Sequence, residues 1–268
     1  TLPQGTRDFS PEIVRKRNFI LETIRAQFEL FGYEPLETPA FENIETLMGK
    51  YGDEGDKLIF KILNNGLDRP EKHAQAKADF EKVLEGKNVK GITERAMKYD
   101  LTIPFARYVA MNRGTITFPF KRYQIQAVWR ADRPQRGRYR EFTQCDADIV
   151  GSKSLLNEID LIQIYTNVFS SLKIDVEICI NNRKMLAALA EQCGGLQLLT
   201  DITIAIDKLD KTTLEKVVEE LLIKNISQEA IEIIKKYLAF KSFETNKEIL
   251  QNLEEMFAEN ELGMQGIE

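Results

Sequence analysis

The chain has 268 residues, of which 43% are hydrophobic, and a formal net charge of −5. This length supports one substantial hydrophobic core and a smaller second domain. No apolar run is long enough to span a bilayer, and the start of the sequence lacks the apolar stretch of a signal peptide. Three widely spaced cysteines (Cys145, Cys179 and Cys193) form no CxxC pair, which argues against disulfides or a zinc site. We therefore expect a cytoplasmic protein with no membrane anchor and no metal ligands of its own.

The first predicted element is a helix that begins at Ser10 and Pro11, because serine caps helix N-termini and proline fits the first turn. Apolar residues then recur at helical spacing until Gly32: Ile13, Ile20, Leu21, Ile24, Phe28 and Phe31. Residues 33–39 contain two prolines and are predicted to be extended. This pattern fits a helix and edge strand that face the core, and it fits an interface with a second copy equally well.

A short apolar strand is predicted over residues 58–63. Residues 68–88 are polar with few apolar positions, which is typical of a mobile loop containing a short exposed helix. The single histidine of the chain, His73, lies in this polar stretch. We expect it to be a surface residue and not a catalytic base.

A long β-hairpin with a basic tip is predicted over residues 120–151, where two alternating segments flank a loop. Because side chains alternate along a strand, one face of this hairpin is polar and the other apolar. The polar face carries Gln124, Gln126, Arg130, Phe142, Gln144, Asp146 and Asp148. Between positions 121 and 140 there are seven basic residues against one acid, Asp132. Arginine-rich loops suit phosphate or carboxylate recognition, although a solvated basic loop has the same composition.

After the hairpin, the pattern predicts a helix over residues 155–172 and a strand over residues 174–180. Residues 184–256 then read as several amphipathic helices. The composition shifts near Asn182, so we predict two domains, residues 1–183 and residues 184–268.

Four ordered segments resemble motifs of class II aminoacyl-tRNA synthetases, and in detail those of histidyl-tRNA synthetases. They are LPQGTRDFSP at 2–11, YEPLETPAFE at 33–42, KYDLTIPFARYVAMN at 98–112, and the hairpin itself. The resemblance implies an α+β fold, with a mostly antiparallel β-sheet flanked by helices in the first domain and a helical insertion as the second. It also implies a homodimer in which the first helix and the extended segment after it form the interface.

The resemblance further implies a nucleotide site on the hairpin. Arg130 matches the catalytic motif 2 arginine, which contacts both the amino-acid carboxylate and the α-phosphate of ATP. Arg138 matches the residue that holds the outer phosphates, and Phe142 matches the ring that stacks on adenine. Asp132 stands where the family commonly has a glutamate in the ATP site, one methylene longer.

The histidine-binding residues implied by the resemblance are Asp100, Leu101, Thr102, Arg130, Gln144 and Asp148. A carboxylate facing the substrate ammonium is favourable, and an imidazole needs an acceptor for its ring N–H. The local sequence leaves an alternative open, because Thr102 before Ile103 and Pro104 also has the pattern of a helix N-cap that Asp100 supports. Asp146 shares the face but matches no binding position of the family.

The implied activity is that of a histidine–tRNA ligase, with L-histidine, ATP and tRNA(His) as partners and Mg²⁺ bridging the ATP phosphates. The family's second histidine motif, motif 3 and anticodon-binding domain find no match, so we expect a truncated catalytic domain whose activity alone is incomplete. One alternative is a non-catalytic synthetase-like regulatory paralogue that binds histidine. Another is a nucleic-acid binding module, which leaves Gln144 and Asp148 unexplained.

Overall fold

A computed structural model describes residues 1–50, 52–210, 212–240 and 245–268. The chain divides into two compact units, Thr1–Ile178 and Cys179–Glu268, which we call unit 1 and unit 2. None of the helices in these described ranges combines the length and apolar character that crossing a membrane requires.

Unit 1 contains the strands of the molecule. They are β1 (Glu34–Pro35), β2 (Phe41–Asn43), β3 (Lys61–Ile62), β4 (Arg95–Met97), β5 (Phe120–Trp129) and β6 (Glu141–Val150). Two three-stranded sheets result, with the orders β1-β5-β6 and β2-β4-β3. The pairing of β1 with β5 is parallel, and the other pairings of these strands are antiparallel. The predicted α+β class with mostly antiparallel pairing is confirmed.

The helices of unit 1 are α1 (Pro11–Leu30), α2 (Ile44–Leu47), α3 (Gly52–Lys57), α4 (His73–Leu84), α5 (Thr102–Met111) and α6 (Leu156–Leu172). A 3₁₀ turn, Pro70–Lys72, precedes α4. Helix α1 starts where the sequence predicts, and the Ser10 hydroxyl accepts a hydrogen bond from the Ile13 amide. Its apolar stripe is used only in part, because Phe28 is buried whereas Ile13 and Ile20 are 40% and 41% exposed.

The apolar face of the β5–β6 hairpin packs against α1 and α6. The buried residues of this core are Phe28, Tyr33, Tyr123, Ile164 and Val168. The rings of Phe28 and Tyr123 stack with centroids 5.4 Å apart, and the Tyr123 hydroxyl donates a 2.7 Å hydrogen bond to Glu29. This packing fixes which face of the hairpin points away from the helices.

Unit 2 is helical. Its helices are α7 (Arg183–Gln192), α8 (Leu199–Asp207), α9 (Leu214–Ile223), α10 (Gln228–Ala239), α11 (Asn246–Phe257) and α12 (Glu261–Ile267), with 3₁₀ turns at Leu196–Leu198 and Lys208–Asp210. Helix α7 is capped by Asn182, whose side chain accepts a hydrogen bond from the Lys184 amide. The predicted amphipathic helices are confirmed, although position 211 and positions 241–244 of that stretch lie outside the described residues.

Two strand predictions need correction. Residues 174–180 form no strand, and Ile174 and Ile180 are 50% and 70% exposed. An alternating pattern becomes a strand only when a neighbour supplies hydrogen bonds, and no described strand pairs with this segment. Within residues 58–63, the strand is limited to Lys61–Ile62, the two residues that pair with β4. The polar stretch that follows contains a longer helix than expected, α4, on which His73 is exposed.

Candidate functional site

The register of the hairpin builds one polar face. Strands β5 and β6 are ten residues long, and residues that oppose each other lie on the same face. We call the face away from the helices the site face. Its opposed pairs are Arg122 with Asp148, Gln124 with Asp146, Gln126 with Gln144, and Val128 with Phe142. The polar face predicted from the alternation is present, and it also includes Arg122.

A buried polar network forms the floor of the site face. The Lys98 ammonium donates to the Thr38 carbonyl (3.0 Å) and to Oε1 of Gln126 (2.6 Å). Gln124 donates to the Thr38 hydroxyl at 2.8 Å. Burial lowers the pKa of Lys98, and the charge of Glu42 opposes that shift. These bonds fix both glutamine side chains, so the floor is rigid.

Arg122 is the centre of the charged part of the site face. Its side chain has no exposed surface, and its Nη2 lies 2.6 Å from Oδ2 of Asp148. The same Nη2 donates to the Leu101 carbonyl at 3.4 Å, and the guanidinium carbon lies 4.2 Å from the ring centroid of Phe105. Burial lowers the pKa of Arg122, whereas the nearby carboxylates raise it, Asp148 most of all. Arg122 therefore holds Asp148 in place.

The start of α5 brings Asp100 and Leu101 to this charged group. Asp100 is buried, and its Oδ1 accepts a hydrogen bond from the Ile103 amide at 3.3 Å. Thr102 is exposed at the first position of α5, where no side-chain cap bond forms. The alternative in which Thr102 caps the helix is therefore wrong, because the Asp100 carboxylate serves the first turn instead. The Thr102 side chain does not join the buried group.

The site face and its floor carry buried charges of both signs. Three carboxylates (Asp100, Asp146 and Asp148) act electrostatically on Arg122, and Arg130 adds a second guanidinium. Burial raises the pKa of Asp146, and the charge of Arg122 opposes this shift. With the Lys98 ammonium of the floor, three carboxylates face three cations, so the charges balance and the carboxylates act as directed acceptors for the N–H groups of a ligand.

Gln144 adds a directional signal to this electrostatic one. Its Oε1 is buried and has no hydrogen-bond donor among the described residues. An unpaired buried acceptor costs free energy, which a ligand N–H would recover. The site face therefore offers one fixed carboxylate and one open amide acceptor four residues apart on the same strand.

Arg130 links the site face to the tip of the hairpin. Its Nε donates to the Tyr99 carbonyl at 3.0 Å, next to Asp100. Its guanidinium carbon lies 5.1 Å from the ring centroid of Phe142. At the tip, Gln135 and Arg138 exchange backbone hydrogen bonds of 3.2 and 3.0 Å around Gly137, which has a positive φ of 79°.

A cleft of about 660 Å³ opens at this tip. Four predicted nucleotide residues line it: Arg130, Asp132, Arg138 and Phe142. Four further side chains that line it were missed from the sequence: Arg7, Phe9, Arg17 and Tyr139. Four arginines against two acids, Asp132 and Glu141, make the cleft positive. Such a cleft suits a polyanion.

The structure thus separates the predicted residues into two neighbouring groups. Asp100, Leu101, Gln144 and Asp148 belong to the site face and do not line the cleft, whereas Arg130 touches both regions. Two of the seven basic residues counted between positions 121 and 140 lie in β5, away from the tip. Arg122 is buried against Asp148, and Lys121 pairs with Asp160 at 2.8 Å.

Sequence signals existed for some of the missed residues. Arg122 has the same strand parity as Gln124, so the alternation alone places it on the site face. Arg7 and Arg17 gave no such signal, because they reach the tip from more than a hundred positions away along the chain. In the part of the chain that the structure describes, no three His, Cys, Asp or Glu side chains are grouped so that they could hold a metal ion.

The fold is that of a class II aminoacyl-tRNA synthetase. It has a mostly antiparallel sheet built on the β5–β6 hairpin, the arginine of the hairpin motif, and a polar site in two parts. A family model described as histidyl-tRNA synthetase matches residues 73–265. The chain belongs to the histidyl-tRNA synthetase family.

Individual relatives agree with this family. The chain is 53% identical over 270 residues to a histidine–tRNA ligase of Phocaeicola vulgatus and 50% identical over 273 residues to one of Porphyromonas gingivalis. Both matches cover 100% of this chain and 58% of the relative, so the chain spans little more than half the length of these proteins.

Solved structures show the same fold. The histidyl-tRNA synthetase from Nostoc superposes with a TM-score of 0.79 at 29% identity, covering 100% of this chain and 55% of that one. A protein of Bacillus halodurans, described as an ATP phosphoribosyltransferase regulatory subunit/histidyl-tRNA synthetase, gives a TM-score of 0.74 at 18% identity. The superposition covers 100% of this chain and 61% of the Bacillus halodurans chain. At 18% identity the likeness concerns the fold alone.

Proposed function

We propose that this chain carries the amino-acid activation chemistry of a histidine–tRNA ligase. Histidine and ATP would give histidyl-adenylate and pyrophosphate, and the histidyl group would then pass to the 3′-terminal adenosine of tRNA(His). The observation that carries the proposal is the position of Arg130, which connects a face that bears carboxylates to a positive cleft. Adenylate formation needs this arrangement, because a carboxylate must approach an α-phosphate and both are anions.

The site face would recognise histidine. Asp100 would face the α-ammonium group, while Asp148 and Gln144 would accept N–H groups of the substrate. Because Arg122 fixes Asp148 and Gln144 Oε1 has no donor among the described residues, an apolar side chain of similar size would leave buried polar atoms unpaired. Polar sites reject such analogues strongly for that reason. Leu101 would act through its backbone, whose carbonyl accepts a hydrogen bond from Arg122. Thr102 would face the substrate from the first position of α5.

The tip cleft would hold ATP. Arg130 would neutralise the carboxylate and the α-phosphate, and Arg138, whose side chain is 63% exposed, would reach the outer phosphates. Phe142 would stack on adenine, a contact worth roughly 1–3 kcal/mol. Asp132, 3.8 Å from Arg138 Nη1, would orient that arginine as well as border the adenine.

Mg²⁺ would bind together with ATP. The described residues hold no cluster of carboxylates that fits a protein-bound ion, so its ligands would come mainly from the phosphates. When bound, the ion would neutralise phosphate charge.

We also propose the partners that the family implies: a cytoplasmic homodimer that binds tRNA(His), with the first domain catalytic and the second an insertion. Exposed apolar residues on α1, including Phe19 at 60% exposure, support an interface on that helix. Sedimentation velocity that finds a monomer at micromolar concentration would contradict the dimer. A regulatory paralogue explains the chain less well, because a histidine sensor does not need Arg130, Arg138 and Phe142 around one cleft.

The decisive test is calorimetric titration with L-histidine of the chain and its Asp148→Ala variant, with Asp175→Ala as a matched control. Asp175 is exposed and lies outside the site face. We expect binding to be lost in the first variant and kept in the second, because Asp148 carries the fixed carboxylate. Equal binding in both variants, or none in the unchanged chain, would contradict the proposal.

A further inference from the structure

The tip loop has little structure of its own. Between positions 130 and 140 it carries five arginines, whose like charges repel one another: Arg130, Arg133, Arg136, Arg138 and Arg140. Its internal hydrogen bonds include the isolated bridge between Gln135 and Arg138, a 2.9 Å bond from the Arg130 amide to the Arg140 carbonyl, and a 3.1 Å bond from Arg140 Nε to the Asp132 carbonyl. A loop of this composition needs contacts from elsewhere in the fold to hold one conformation.

The first residues of the chain supply such contacts. The backbone amide of Arg140 donates a 2.8 Å hydrogen bond to the Gly5 carbonyl. The guanidinium carbon of Arg7 lies 3.3 Å from the ring centroid of Tyr139, so the two groups stack. Gly5 has a φ of 84°, and a Cβ there would lie 2.8 Å from Cγ of Arg140. The close approach therefore requires glycine.

The same segment is anchored to α1 and β6. The guanidinium carbons of Arg7 and Arg17 lie 5.0 and 4.2 Å from the ring centroid of Phe9. Arg17 also donates from Nη2 to the Thr143 hydroxyl on β6 at 3.0 Å. At Phe9 the segment is thus held by α1, whose Arg17 also bonds β6. At Gly5 and Arg7 the segment contacts the tip loop.

We propose that residues 2–9 are a strap that orders the tip loop, with Arg7 as its positioning residue. By stacking on Tyr139, Arg7 fixes the residue between Arg138 and Arg140 and so places Arg138 at the cleft for a triphosphate. The identity of that anion rests on the proposed function, whereas the strap itself rests on the contacts just described. Arg7 also lines the cleft, and the role assigned to it here is the stack on Tyr139.

Hydrogen exchange of the whole chain tests the strap without any ligand. In Arg7→Ala we expect the amide of Arg140 to exchange about two- to fivefold faster, since the cation–π contact of an exposed arginine is lost beside its bond to Gly5. Amides within β5 should keep their protection. Arg15→Ala is the matched control, because Arg15 is an exposed arginine of α1 that does not line the cleft. Unchanged exchange at Arg140 in Arg7→Ala would overturn the proposal.

Calorimetry with ATP and with histidine tests what the strap does. In Arg7→Ala we expect the Kd for ATP to rise about two- to fivefold and the Kd for histidine to stay the same. In a Tyr139→Ala background, Arg7→Ala should add no further loss. Additive losses would mean that Arg7 contacts the nucleotide directly, and a loss of histidine binding would indicate general damage; either result overturns the positioning role.

These two experiments separate this inference from the proposed function. If the unchanged chain binds no ATP, the proposed function fails for this chain, and hydrogen exchange alone then decides whether the strap exists. If ATP binds and Arg7→Ala binds it equally well, the proposed function survives and the inference is lost.

Discussion

The two units of the chain bury different kinds of side chain. Unit 1 buries eight polar or charged residues: Thr38, Glu42, Asp79, Thr93, Lys98, Asp100, Arg122 and Gln124. The core described for unit 2 is apolar, with Ile202, Ile231 and Phe257 fully buried. Burying polar groups costs free energy unless every one is paired, so folding alone favours the second kind of core. The contrast fits the proposal that part of the polar interior of unit 1 serves ligand recognition, whereas the apolar core of unit 2 needs only stability to explain it.

Arg122→Ala should give the largest effect, because it leaves Asp148 without its buried partner. We expect a loss of about 4 kcal/mol in the free energy of unfolding of unit 1. Urea unfolding followed by the fluorescence of Trp129, the single tryptophan of the chain, measures this directly. Arg122→Met combined with Asp148→Asn removes both charges and should lose much less. Equal losses in the two variants would show that the charge pair is not the cause.

Ile231→Ala tests the other side of the comparison with a buried apolar residue. Removing this side chain leaves a cavity in unit 2, and we expect a loss of about 3 kcal/mol. The loss should appear in the helical circular dichroism signal while the affinity for histidine stays unchanged. If histidine binding weakens as well, the polar interior of unit 1 and the apolar core of unit 2 do not have separate roles.

Asp146→Asn should give the smallest effect and a distinctive dependence on pH. Since burial raises the pKa of Asp146, the folded chain binds this proton more readily than the unfolded chain. The resulting stability is complete below the unfolded pKa of about 4 and is lost as pH rises through the folded pKa. The variant should therefore be slightly more stable than the unchanged chain at pH 7 and no more stable below pH 4.

Urea midpoints at both pH values would measure this difference, with Asp175→Asn as the exposed control. A gain of the same size at pH 7 and below pH 4 would mean that ionisation of Asp146 is not responsible. The prediction also sharpens the comparison between the units, since the titrating group belongs to the polar interior.

Local periodicity predicted much of this molecule, because it reports which side chains share a face. It gave the helices of unit 2 and the polar face of the hairpin, and parity extends that face to Arg122. It overpredicted the strand at 174–180, since alternation does not say whether a pairing neighbour exists. The resemblance to synthetases led to the prediction that Arg138 and Phe142 bind the nucleotide. Composition alone did not distinguish this role from a solvated loop for Arg138, or from ordinary packing for Phe142.

What sequence reasoning could not reach are contacts between distant segments. The stack of Arg7 on Tyr139 joins positions that only the tertiary fold brings together. The network of Lys98, Thr38 and Gln126 likewise combines three separate segments. Each of these side chains is unremarkable in its own stretch of sequence, so its role depends on the packing around it.

The ten-residue register of β5 with β6 also limits how such a hairpin can change length over evolution. Inserting one residue within either strand would invert every side chain beyond it, moving carboxylates toward the helices and apolar groups toward the substrate. An insertion between Arg136 and Gly137 would leave both faces intact. Length variation in hairpins of this kind is therefore expected in the turn, where new contacts can arise without disturbing the order of side chains on the two faces of the strands.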